Sequence, residues 1–119
     1  MSQDLFGIHG KALELRSQRM GLIASNIANA GTPGYKAKDI DFSVAIRAAD
    51  ANGQGGASVD QAGKAAEFYR VPVMPSLDGN TVELQNEQLA FSENAVGYSA
   101  TLDFIRGRVD TVKRALRGE

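Results

Sequence analysis

Residues 84–116 read LQNEQLAFSENAVGYSATLDFIRGRVDTVKRAL, and their spacing decides the fold. One apolar row is Leu84, Phe91, Tyr98, Ile105 and Val112. A second is Ala95, Leu102, Val109 and Leu116, with Gln88 its only polar member. The steps alternate four and three, the seam of a left-handed coiled coil. Glu83, Glu87 and Glu93 lie early, and Arg106, Arg108, Lys113, Arg114 and Arg117 lie late, the order a helix dipole favours. The spacing predicts a helix over 81–117. Asn80, with Glu83 three residues on, has the form of an N-cap and its capping box. Such a helix is roughly 55 Å long at about 1.5 Å per residue. A compact domain of this length has a radius of gyration near roughly 13 to 14 Å. So the helix either breaks at Gly97 or Gly107 or makes the molecule elongated, and an elongated shape is expected.

A second helical pattern runs from about Asp4 to Ala30. Its apolar residues fall in two adjoining rows, one through Leu5, Ile8, Ala12, Leu15 and Leu22, the other through Phe6, Leu13, Met20, Ile23, Ile27 and Ala30. Two rows suit either a helix that touches more than one neighbour or one with a single wide core-facing face. Arg16 and Arg19 fall among them, with stems that can pack and heads that reach water or a carboxylate. Gly31 is placed to end the helix in the left-handed conformation. Pro33-Gly34 suits the centre of a type II turn.

Between the helices the chain is soft. Ile40, Phe42, Val44 and Ile46 alternate, which predicts an extended segment within 35–46. Residues 50–66 hold four glycines and one large apolar residue, Val59, too little to offset the entropy of ordering, so this stretch is expected to be mobile. Pro72 and Pro75 bracket Val73-Met74 in a strip that is at best an edge strand, and Leu77-Asp78-Gly79 is a turn. The expected fold is mainly α and elongated. Long N- and C-terminal helices form a coiled-coil-like hairpin around a mobile Gly-rich middle with short extended segments. The divisions are 1–35, helix and turn; 36–80, extended or disordered middle; and 81–119, heptad helix.

Composition argues against chemistry. The chain has 119 residues, no Cys and one His. A thiol nucleophile and a Cys-based zinc site are thereby excluded. Thirteen basic against fourteen acidic residues leave a net charge of −1, unlike a protein that tracks phosphates, so no nucleic acid partner is expected. Asp39 and Asp41 could share one face of an extended segment, but two solvated carboxylates are the plainer reading. No nucleophile elbow, metalloprotease helix, calcium loop or dinucleotide fingerprint occurs. No catalytic residue, cofactor or metal is expected. The longest uncharged run, 20–35, is too short and polar to cross a bilayer. The first fifteen residues hold Asp4, His9 and Glu14 and lack the apolar block of a cleaved secretory signal.

The informative constellation is Ser25, Asn26, Ile27, Ala28, Asn29 and Ala30, followed by Gly31 and then Thr32, Pro33, Gly34 and Tyr35. Asn is a poor helix-interior residue, so Asn26 and Asn29 serve either to cap the last turn or to bond a neighbouring subunit. This stretch resembles the signature of the bacterial flagellar axial proteins, the rod and hook family. There it closes the first helix of a chain that ends in a heptad-bearing helix. The short chain, the run Lys38-Asp39-Ile40-Asp41-Phe42 after the signature, and the run Pro75 to Val82 before the last helix are most similar to proximal rod proteins.

The resemblance implies a structural subunit of the basal body rod. It would assemble helically at the proximal rod and connect the membrane ring to the rest of the rod. Implied partners are other rod proteins, copies of itself, membrane-ring and adaptor proteins, and the flagellar type III export gate. The implied location is the periplasmic rod, reached without a cleaved signal; Phe42 and Ile46 fit the form of the family's export signal. The competing class is a soluble cytoplasmic coiled-coil adaptor or export chaperone.

Overall fold

A computed structural model describes residues 7–51 and 58–118 of the chain. The elements in order are helix α1 (Gly7–Ala28), strand β1 (Lys38–Ile40), helix α2 (Phe42–Ala51), helix α3 (Val59–Ala65), strand β2 (Glu67–Tyr69) and helix α4 (Leu84–Arg117). The molecule measures 64 × 28 × 18 Å, with a radius of gyration of 17.5 Å. It is therefore mainly α and elongated. Helix α4 passes through Gly97 and Gly107 without a break.

Helices α1 and α4 lie antiparallel. The register is marked by Asn26 beside Glu87, the Arg16 carbonyl beside Asn94, and the His9 ring on Phe104 with centroids 4.1 Å apart. The other flank of α1 packs against α2, α3 and β1, and Leu15 and Leu22 of its first apolar row lie there. The apolar core sits on that flank. Leu15, Ile40, Ala45 and Ala66 are buried, and Leu22, Phe42, Ile46 and Val59 close over them. With few large side chains, each contributing about 1.5–3 kcal/mol, this is a small core.

The middle of the chain departs from expectation in two places. The extended segment stops at Ile40, and α2 begins at Phe42. Phe42, Ala45, Ile46 and Ala49 stand at i, i+3, i+4 and i+7 and face inward. That helical stripe is hidden when only large residues are counted, because two of its members are Ala. The second departure is Ser58–Ala66, read as soft. Ser58 caps α3 with a full capping box, its Oγ accepting from the Gln61 N–H while the Gln61 side chain accepts from the Ser58 N–H. Ala62, Gly63 and Ala66 are buried. A Cβ on Gly63 would collide with the Gln18 amide of α1. Small residues here permit close helix approach, where sequence reasoning took them for lack of packing material. The glycine-rich residues 52–57 lie outside the described residues.

Strands β1 and β2 pair antiparallel, with Lys38 opposite Tyr69, Asp39 opposite Phe68 and Ile40 opposite Glu67. Past β2 the chain runs as an irregular strap to Asn80. Val71, Val73, Met74 and Leu77 on it are 77% exposed or more.

Candidate assembly interface

The signature stretch forms the end of α1 and the turn after it. Gly34 has φ +74°, and the Tyr35 N–H donates to the Thr32 carbonyl, as the proline-glycine turn requires. Gly31 is not in the left-handed region. The helix is ended instead by Asn29, whose Nδ2 donates to the Ser25 carbonyl at 2.8 Å and whose Oδ1 accepts from the Thr32 hydroxyl at 3.0 Å. Asn29 is thus the local cap.

Asn26 does something else. It is fully buried, and its side chain brackets the backbone of Lys38: Nδ2 donates to the Lys38 carbonyl at 2.7 Å, and Oδ1 accepts from the Lys38 N–H at 3.1 Å. The same Nδ2 donates to Glu87 Oε1 at 3.0 Å. One amide so ties α1 to β1 and to α4. The Tyr35 hydroxyl completes this corner, 3.4 Å from Asn26 Oδ1 and 3.1 Å from the Ser25 hydroxyl.

Glu87 leads into a buried cluster of charges. Its Oε2 lies 2.7 Å from Arg70 Nε. Arg70 in turn reaches Asp39 Oδ2 at 2.7 Å, and Arg19 grips Asp39 with Nε at 2.7 Å and a second nitrogen at 3.0 Å. Asp39 is 3% exposed and Glu87 fully buried, while both arginines keep a partly wet edge. Two positive and two negative groups balance, which is what makes their burial tolerable. The hydrogen bond to Asp39 raises the Arg19 pKa, against an opposing effect of burial. Arg16 lies nearby with its guanidinium 4.4 Å over the Phe42 ring; burial, then the charge of Arg19, lowers its pKa. Gly97 of α4 leaves the room it occupies, since a Cβ there would lie 2.5 Å from an Arg16 nitrogen.

Asn80 closes the corner from the far side. It is not the N-cap of α4, which starts at Leu84 after Glu83 and has no side-chain cap bond. Its Nδ2 lies 2.7–3.0 Å from the carbonyls of Asn29, Ala30 and Thr32, the loose end of α1. Glu83 is likewise diverted: its carboxylate accepts from the Val73 N–H and from Asn86. Asp39 is committed to its arginines, and Asp41 accepts from Ser43 and the Val44 N–H at the start of α2. Among the described residues no group of acidic, His or Cys side chains could hold a metal.

The heptad residues divide. Ala95, Tyr98, Leu102, Ile105, Val109 and Val112 are half-buried, whereas Leu84, Phe91 and Leu116 are exposed. The residues of α4 buried outright are Glu87 and Asn94, polar and one heptad apart. At 100° per residue, the two apolar rows are turned about 60° and about 100° from the line of Glu87 and Asn94 that meets α1. Within one chain the seam is therefore only half used, and Leu89 and Val96, on the far side of the helix, are exposed as well. Of the signature, Ser25, Ala28 and Thr32 to Gly34 are exposed, Ile27 and Ala30 half-buried. Phe42 and Ile46 are half-buried on α2, against Arg16 and the core. Sequence reasoning missed the charge cluster, although Arg19 stood out among apolar neighbours.

The chain is similar along nearly its whole length to known proteins. A family model for flagella basal body rod proteins matches residues 6–36. Flagellar basal body rod protein FlgB of Cereibacter sphaeroides is 43% identical over 98% of this chain and 97% of its own. FlgB of Aeromonas hydrophila is 41% identical over 96% of this chain and 93% of its own. FlgB of Escherichia coli is 38% identical over 90% and 88%.

Proposed function

The chain belongs to the FlgB family of flagellar basal body rod proteins, and from that premise we propose how it serves as a structural subunit of the rod. It assembles helically at the proximal rod, between the membrane ring and the rest of the rod. Its neighbours are copies of itself, other rod proteins, and the membrane-ring and adaptor proteins. It reaches its periplasmic place through the flagellar type III export gate, and its role is mechanical, without catalysis.

The observation that carries this is the mismatch between shape and core. A 64 Å molecule with a small core presents α4 with half of its apolar rows unspent and a strap of exposed Val, Met and Leu. Exposed apolar surface of this extent marks an interaction face. Neighbouring subunits complete the seam at Leu84, Phe91, Ala95, Tyr98, Leu102, Ile105, Val109, Val112 and Leu116. The exposed edge of the signature, Ser25, Ala28 and Thr32 to Gly34, forms the adjoining contact. Asn26, Ile27, Asn29, Ala30 and Tyr35 hold that edge in shape. Phe42 and Ile46 act as export signal on the unfolded chain, since in the folded subunit both are half-covered. Assembly then covers the faces that the single folded chain leaves exposed, and the new interface must exceed the cost of ordering them.

The test is complementation of a deletion strain with Val109→Asp, which puts a charge in the seam. The expected result is normal protein level, no motility and no chain in purified basal bodies. Full motility would show that the seam is not an interface.

A further inference from the structure

Beneath the strap lies a groove of about 340 Å³, lined by Phe68, Arg70, Val71, Val73, Glu83 and Asn86. Further along the strap, Met74 and Leu77 are exposed as well. Arg70 in its floor is neutralised by Asp39 and Glu87, so the charge the groove offers a visitor is the Glu83 carboxylate. Strand addition is not the way to cover it. Pro72 and Pro75 remove backbone donors from the strap and blunt it as a pairing edge. The fitting visitor is an apolar stripe with cationic flanks.

Such a stripe exists on the same chain, at the far end of α4. There Val109, Val112 and Leu116 follow one another on one side, with Arg108, Lys113, Arg114 and Arg117 around them. Leu116 is 83% exposed. The end of α4 cannot fold back onto its own strap. Helix α4 is continuous from Leu84 beside the groove to Arg117, and that separation is about 50 Å.

We propose that the groove and strap of one copy, residues 71–77, receive the C-terminal end of α4 from a second copy. The contact joins two different surfaces, so each added copy brings a fresh groove and a fresh tail, and the array grows as a helix where the rotation between copies does not close a ring. It deepens the rod assignment and rests on it. Glu83 selects for the basic flank, and the apolar stripe covers Val71, Val73 and Leu77.

The chain has no cysteine, so introduced thiols report without background. A strain lacking its own copy would express two differently tagged full-length variants, Leu77→Cys and Leu116→Cys, both at highly exposed positions. Isolated basal bodies would be treated with a short thiol-specific bismaleimide. The expected product is a dimer carrying both tags, absent when either variant is expressed alone. Val73→Cys with Val112→Cys is the second pair, should the first fail to incorporate. A cross-link from Leu116→Cys to Leu84→Cys in place of Leu77→Cys would overturn the groove contact and leave the rod assignment standing. Basal bodies that contain both variants but give no joint dimer with either pair would overturn it too. If the wild-type chain is absent from basal bodies, the rod assignment fails, and this contact with it.

Discussion

Replacing Glu87 by Gln tests the buried cluster with the smallest change of shape. Glu87 has two partners: its Oε1 accepts from Asn26 Nδ2 at 3.0 Å, and its Oε2 lies 2.7 Å from Arg70 Nε in an ion pair without hydrogen-bond alignment. An amide has one acceptor oxygen. Whichever way it turns, its NH2 group meets an N–H, either that of Asn26 or that of Arg70. The cluster also changes from neutral to a net positive charge. Breaking a fully buried ion pair costs about 3–5 kcal/mol. The Arg70 side chain is 25% exposed, so water recovers part of this. The expected loss is about 2–3 kcal/mol. For a chain of this length the entropy of unfolding is about 0.25 kcal/mol per kelvin, which makes the loss roughly 8–12 °C in melting temperature. Circular dichroism melts of the full-length protein, with urea titration alongside, measure it. A cycle with Arg70→Met should return a coupling above about 0.5 kcal/mol. A Gln variant that melts within about 2 °C of the parent would refute the view that Glu87 is held at once by an amide and by the charge of Arg70.

Two further perturbations address the corner and α2. Asn80→Ala removes the amide that spans the carbonyls of Asn29, Ala30 and Thr32, and should cost about 1–3 kcal/mol. Hydrogen exchange at residues 29–35 should quicken before that of α4, and unchanged exchange there would contradict the clamp. Asp41 is bonded first by the Ser43 hydroxyl and then by the Val44 N–H, which lowers its pKa below the ordinary carboxylate value. A depressed folded pKa means that the stabilisation is complete above the unfolded value and is lost as the pH falls through the folded one. NMR titration should place Asp41 below an unperturbed Asp, and Asp41→Asn should remove the acid-end loss of α2; titration at or above the unperturbed value contradicts the assignment.

What the sequence makes legible follows the size of the side chains. The heptad rows and the paired rows of α1 are built from Leu, Ile, Val and Phe, and they disclose two long helices and an elongated shape. The proline-glycine turn is equally plain, since its chemistry lies in adjacent residues. Helices α2 and α3 are hidden because many of their inward residues, Ala45, Ala49, Ala62 and Gly63, are small and contribute close approach rather than bulk. The charge cluster is hidden for a different reason. Arg19, Asp39, Arg70 and Glu87 are far apart in the chain, and only the β1–β2 pairing together with the α1–α4 register brings them into contact. Arg19 among apolar neighbours gave a hint of a partner carboxylate without saying which. Asn80 has the form of a cap and serves as a clamp on a different helix, a use that no local pattern specifies.

The polar contacts between α1 and α4 have a consequence that an apolar seam lacks. Rows that repeat every seven residues fit nearly as well after a slip of seven, so hydrophobic matching alone does not fix where α4 sits. Glu87 and Asn94 are one heptad apart and have different partners: Glu87 meets Asn26 and Arg70, Asn94 donates to the Arg16 carbonyl at 2.8 Å. Sliding α4 by one heptad would put an amide where Arg70 needs a carboxylate. The register is thereby set by groups that cannot exchange places, and the apolar rows remain free for neighbours. Glu87→Leu with Asn94→Leu should accordingly keep the helical content and lose the single register. Amide resonances of α1 and α4 should broaden or double, and the ring-current shifts from the His9–Phe104 stack should weaken. One sharp set of resonances with those shifts intact would show that the apolar rows select the register unaided.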